Sequence, residues 1–267
     1  DETRSVREHE TQLNETYTSS LINDTSLRPS MEAGFHVFLG PSVIHTHPVV
    51  TNILTCMAEG EQLAQEIFPD IDFSWIPYRN PGFSLAFAVK QSLQDKPLSK
   101  DTHVFFLQNH GIIVSATTLQ KCLDTILAVN ARIITYFKNK GSSLPKFSVH
   151  ALTPYKHGYI NMSPLAQWFA NNHNKFIHTY LFPDIVVFCK NLGIEFSADS
   201  ISLVEGKGIF YPFEKAKADQ INEIMTAHLY LLQNIPPLGT LNPLSNDNVA
   251  YIFGMDAEKY RQQVVGA

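Results

Sequence analysis

His45 and His47 are the residues whose type and spacing are best suited to chemistry. They follow Val43-Ile44, a β-branched apolar run that reads as a buried strand. Side chains alternate faces along a strand, so the two imidazoles point the same way and Thr46 the other. Neutral imidazole nitrogen is a ready ligand for zinc. The pair alone is not specific, because a histidine at a strand end is also an ordinary polar terminus. Two further stretches add to it. His103 to Leu107 is a second apolar strand, followed by Asn109-His110-Gly111, where the glycine lets the backbone pass close to a ligand. Arg28 to His36 carries a carboxylate, Glu32, near the start of a helix. Three histidines (His45, His47, His110) with a nearby carboxylate match an open site for Zn2+ or another divalent metal, leaving one position for a substrate.

The elements that must position these residues can be read from periodicity. Ser30 is a candidate N-cap for a helix through Glu32 and His36, which at four residues apart would share a face. His36 reads as an ordinary helix residue rather than a fourth imidazole ligand. Residues 49–68 read as one helix, Phe73 onward as a strand and turn, Ser84 to Gln94 as a helix, and 117–138 as a long amphipathic helix. Arg79 reads as a solvated turn residue. The polar Lys138–Pro145 stretch, with Gly141-Ser-Ser and a closing proline, reads as a linker. Beyond it, 164–179 suits a helix and Asp184–Cys189 a strand. Ile201–Val204 and Gly208–Tyr211 suit a hairpin, and 214–233 a second long helix. Residues 1–26 are polar with little periodicity and read as an arm without regular structure. His150, His157, His173, His178 and His228 have no mutual metal spacing and read as packing or surface histidines.

Composition narrows the classes. A chain of 267 residues with 44% hydrophobic content can bury a sizeable core. A net charge of −5 gives no basic excess for nucleic acid or an anionic membrane. No apolar run approaches a membrane span, and no secretory leader pattern is present. Cys56, Cys122 and Cys189 are too scattered for a zinc knuckle or a disulfide framework and read as buried thiols of a cytoplasmic protein.

Three motifs together, Pro-Ser-x-Glu-x-x-x-His at 29–36, His-Thr-His at 45–47 and Asn-His-Gly at 109–111, resemble the class II aldolase and adducin family. Their order and separations fit, with Glu32 13 positions before His45 and His47 63 positions before His110. The resemblance runs from about Leu27 to about Lys138 and fails before Leu27. It implies an α/β fold: a central, mostly antiparallel sheet flanked by helices, followed here by a smaller α+β region. The corresponding division is an N-terminal arm at 1–26, a metal-binding domain at 27–140 and a C-terminal extension at 146–267. The resemblance implies a zinc-dependent aldolase acting on a ketose or ketose phosphate through an enediolate, whose charge the metal ion stabilises. His45, His47 and His110 would be the ligands and Glu32 the base. Ser30 would bind substrate, since family members grip a phosphate with a Ser-Ser pair before the glutamate and with an upstream Gly-Asn-x-Ser loop. Here the pair is Ser30-Met31, and the sequence contains no Gly-Asn dipeptide. Other branches of the family are non-catalytic adducin-like modules, which lack the histidines, and sugar-phosphate 4-epimerases, which carry Asp at the Glu32 position. The partners implied are a small sugar or sugar phosphate and further copies of the same chain, as a tetramer.

Overall fold

The structure is a computed structural model that describes residues 6–22, 29–99 and 101–255. In chain order the first half comprises α1 (Val6–Ser19), a 3-10 helix (Met31–Val37), β1 (Ser42–Thr46), α2 (Val49–Thr55), α3 (Gly60–Ile67), β2 (Phe73–Ile76), α4 (Phe83–Asp95), β3 (Thr102–Leu107), β4 (Gly111–Ala116) and α5 (Leu119–Asn139). The second half comprises β5 (Thr153–Tyr155), β6 (Gly158–Asn161), α6 (Pro164–Phe176), α7 (Pro183–Cys189), β7 (Ser202–Val204), β8 (Gly208–Tyr211), α8 (Lys215–Asn234) and α9 (Asn246–Gly254).

This is a mixed α/β architecture with two four-stranded sheets. In the first sheet the order is β1-β4-β3-β2. β1 and β3 run antiparallel to β4, but β2 runs parallel to β3, so the expected mostly antiparallel sheet is a mixed one. The reason is the connection. β3 and β4 are joined by a tight turn, whereas α4 carries the chain back between β2 and β3 so that both run the same way. The second sheet, β5-β6-β8-β7, is antiparallel throughout.

Alternation along β3 and β4 decides how the first sheet is covered. Val104, Phe106, Ile112 and Val114 face the main core, which includes Ile126, Val129 and Ile133 of α5. Phe105, Leu107 and Ile113 face a second cluster with Phe35 of the 3-10 helix and Leu85 and Val89 of α4. Every one of these is fully or almost fully buried. Each large side chain so buried contributes about 1.5–3 kcal/mol, which fixes the register of the strands that carry the histidines.

Several expectations need correction. Residues 6–19 form α1 rather than an irregular arm; the first residues of that arm and the Leu27 boundary lie outside the described residues. The single helix expected over 49–68 is two, α2 and α3. The chain leaves the helix at 56–58 because its backbone bonds elsewhere: Ala58 N–H donates to the Thr240 carbonyl and Asn242 N–H to the Cys56 carbonyl, both at 2.9 Å. Asp184–Cys189 is helical, not a strand. Pro183 at the first helical position and Asp184 in the first turn outweigh the β-branched Ile-Val-Val run. The hairpin at β7–β8 and the helices α4, α5, α6 and α8 fall where periodicity places them. One continuous core joins the two halves, with Ile53, Leu54 and Met57 in the same cluster as Leu181, Phe182 and Leu229. Cys56, Cys122 and Cys189 are buried free thiols. No helix among the described residues is long and apolar enough to cross a membrane.

Candidate metal centre

Each histidine arrives on a different structural support. His45 lies in β1, paired with Ile113 of β4, and its Nδ1–H donates to the Ile112 carbonyl at 2.9 Å. A carbonyl can only accept, so Nδ1 carries a proton, and in the neutral ring Nε2 presents a lone pair. His47 follows the end of β1, and its Nδ1 lies 3.3 Å from Asp184 Oδ2, which sets the same tautomer. His110 sits in the β3–β4 turn with its side chain only 3% exposed, and its Nδ1 is buried without a hydrogen-bond partner among the described residues.

Backbone geometry holds this turn. Asn109 adopts a left-handed conformation, φ 54°, which asparagine tolerates better than most residues. Its side chain donates to the carbonyls of Leu181 at 2.9 Å and Asn242 at 2.5 Å, and accepts from Asn242 Nδ2 at 3.1 Å. Gly111 is required by space rather than by φ. A Cβ there would fall 2.7 Å from His47 Cδ2 and closer still to the Thr46 carbonyl oxygen.

Glu32 reaches the cluster from the 3-10 helix. Ser30 caps that helix, its Oγ accepting from the Glu32 N–H at 3.2 Å. Because the helix is 3-10 rather than α, residues three apart eclipse. Glu32 therefore shares its face with buried Phe35, whose ring meets His45 edge-on at 5.3 Å between centroids. His36 is exposed and lines the same cavity as Glu32 and His45, outside the four-residue cluster. Glu32 Oε1 lies 2.9 Å from His110 Nε2 and Oε2 3.3 Å from His45 Nε2. Burial pushes the Glu32 carboxyl up, but His110 and His45 overbalance it and hold the group well below the usual carboxylate range. Burial in turn lowers the His110 imidazole despite the neighbouring carboxylate.

The four sequence-derived positions Glu32, His45, His47 and His110 thus come together, with one ligand atom from each lying within 4.8 Å of all the others. The donor set fits a divalent cation. His45 Nε2 and His47 Nε2 are 3.0 Å apart, and in the neutral rings an oxygen acceptor at each Nδ1 leaves both Nε2 atoms as lone pairs. Two lone pairs at that distance repel unless a cation or a proton lies between them. Nitrogen ligands about 2.0–2.1 Å from zinc sit roughly 3–3.4 Å from each other, which matches the observed spacing. An open cavity of about 540 Å³ leads away from His45 and Glu32, lined also by Ser30, Phe35, His36 and Val43. His173 and His228 lie on α6 and α8, outside this cluster. Arg79 is exposed and donates to the Tyr78 carbonyl. Sequence reasoning missed Asp184 and the asparagine clamp. The signal for the first was present in Phe-Pro-Asp, a helix-start pattern; nothing local marks Asn242 as a partner of Asn109.

Three histidines and a carboxylate that could hold a metal ion thus converge beside an open cavity of a mixed α/β protein. Residues 9–135, just under half of the chain, match the class II aldolase and adducin N-terminal domain. The matched segment starts before Leu27 and takes in most of α1. The chain is also similar to a protein of Bacillus subtilis (strain 168) described as uncharacterized oxidoreductase YuxG, with 26% identity over 121 residues, 45% of this chain. The matched segment spans only 17% of that relative's length. No solved structure matches the chain.

Proposed function

We propose that the protein is a metal-dependent lyase of the aldolase type, making or breaking a carbon-carbon bond in a ketose or ketose phosphate. The observation that carries this reading is the convergence of three imidazoles and Glu32, with His45 and Glu32 lining an open cavity. His45, His47 and His110 would hold Zn2+ or another divalent ion. Such an ion supplies Lewis-acid stabilisation where negative charge develops on a substrate carbonyl oxygen. Glu32 would take the proton from the carbon beside that carbonyl in the direction of bond formation and return it after cleavage. Phe35 and the strand carbonyl of Ile112 would keep the His45 ring in place as the substrate enters. Ser30 keeps its hydroxyl proton while capping the Glu32 amide, and would donate it to the substrate. All three histidines are present together with a glutamate, which favours this reading over an adducin-like scaffold and over a 4-epimerase. The oxidoreductase name of the Bacillus relative is no part of it.

The proposed partners are a small sugar and further copies of this chain. Leu119, Leu123 and Leu127 form an exposed stripe on α5 that supports an assembly; a single-chain mass by light scattering would remove that element.

The test is metal content with a retro-aldol assay. Purified protein is expected to hold one divalent ion per chain. His45→Ala should lose both metal and ketose cleavage, and His173→Ala neither. Equal metal content in His45→Ala and the unsubstituted protein would overturn the reading.

A further inference from the structure

We propose that Asp184 is a positioning residue of the metal centre, supplied by the second half of the chain, which fixes the tautomer and tilt of His47. This inference rests on the metal-binding reading above. Of the three imidazoles, His47 is the one packing holds least, with its side chain 34% exposed against 10% for His45 and 3% for His110. His45 has the Ile112 carbonyl behind its Nδ1. His47 lies past the end of β1, and behind its Nδ1 stands the Asp184 carboxylate at 3.3 Å. A carboxylate there accepts the Nδ1 proton, leaves Nε2 as a lone pair facing His45, and makes that nitrogen a stronger donor to a cation.

Asp184 is itself held in place. It stands in the first turn of α7 after Pro183, with its side chain 17% exposed. The residues leading into it are buried: Leu181, Phe182 and Pro183. The Leu181 carbonyl accepts from Asn109 Nδ2 at 2.9 Å and from Cys56 Sγ at 3.3 Å, and the Tyr180 carbonyl accepts from Leu244 N–H at 2.8 Å. One short segment, 180–184, therefore touches both the residue before His110 and the ring of His47. The competing explanation for Asp184 is helical: a carboxylate in a first turn is favoured by the helix dipole whatever lies nearby. That role predicts an effect on stability and none on metal affinity.

The experiment measures zinc affinity of the full chain by competition with a chromophoric chelator, alongside the melting temperature of the metal-free protein. Asp184→Ala is expected to weaken zinc binding about 10–100-fold. Asp184→Asn, which keeps the shape and one acceptor but not the charge, should weaken it by a smaller factor, and Asp184→Glu should recover part of the loss. Asp184→Asn decides the matter if the alanine variant fails to fold. Zinc affinity within about twofold of the unsubstituted protein in the asparagine and alanine variants, with only the melting temperature lowered, would overturn the inference and leave the helical role. If the unsubstituted protein binds no zinc, the metal reading itself fails, a result distinct from tight binding that ignores Asp184.

Discussion

Glu32 touches two histidines through two different oxygens, and this double contact decides what its substitution should do. Glu32→Gln keeps the shape, so the three imidazoles remain able to hold a cation while the proposed base is gone. Zinc content is expected to stay at the level of the unsubstituted protein, while exchange of the proton beside the substrate carbonyl slows about 10²–10⁴-fold. Undiminished exchange into deuterated solvent would remove Glu32 from the role of base. Ser30 leads to a different expectation. Its Oγ already accepts the Glu32 amide, and the Ala33 amide is taken by the Ser30 carbonyl. Few free donors are left there for a phosphate, and Met31 adds none. Ser30→Ala should therefore cost about 0.5–2 kcal/mol of stability through the lost cap. It should change the ratio of kcat/KM for phosphorylated over unphosphorylated ketose by less than about tenfold, which corresponds to roughly 1.4 kcal/mol. A preference for the phosphate ester that collapses in this variant would assign the charged end of the substrate to Ser30.

At the scale of elements, the candidate site was more legible than the connections that secure it. His45 and His47 announce a shared face through the period of a strand, and Gly111 announces a close approach. What the glycine approaches is the end of β1, the Thr46 carbonyl and the His47 ring, rather than a ligand. The type of helix under Glu32 was not legible, because α and 3-10 helices share the same caps and differ only in the tightness of a turn. The break between α2 and α3 was hidden for another reason: its cause is hydrogen bonding to residues 240–242, far along the chain. α7 shows local signals in conflict, with Pro183 and Asp184 outweighing a β-branched run. The Gly111 contact yields a prediction at this scale. Gly111→Ala must push β4 away from the end of β1 or displace the His47 ring. Overpacking of this kind costs about 1–3 kcal/mol, and it should weaken zinc binding as well as lower the melting temperature. A Gly111→Ala protein that binds zinc as tightly as the unsubstituted one would show that the turn absorbs the methyl without moving His47.

Across the whole molecule, the shared core makes the two halves one unit in packing, and buried neutral histidines give that unit a pH dependence. His228 of α8 is 4% exposed and edge-on to Phe182, and its burial lowers the imidazole to about 3. His103 of β3 is fully buried against Ser74, and burial, with a smaller contribution from Lys96, lowers it to about 4. In the unfolded chain both return to about 6.5. The folded state therefore binds fewer protons than the unfolded state below that value, and stability must fall as the solution is acidified. The contribution is fully present above about pH 6.5 and is lost progressively as pH falls toward the folded values. Between pH 7 and pH 5 each group should remove about 2 kcal/mol. Together that is a large share of the 5–15 kcal/mol typical of a folded domain. Urea unfolding of the metal-free protein at the two pH values measures the loss, and metal-free material keeps His45, His47 and His110 from adding the release of a cation to the result. His228→Gln removes one titrating group from the core, so its unfolding free energy should start lower at pH 7 and fall less between pH 7 and pH 5. A slope unchanged by that substitution would mean that His228 takes up its proton in the folded state, with the packing between α8 and Phe182 opening to water to allow it.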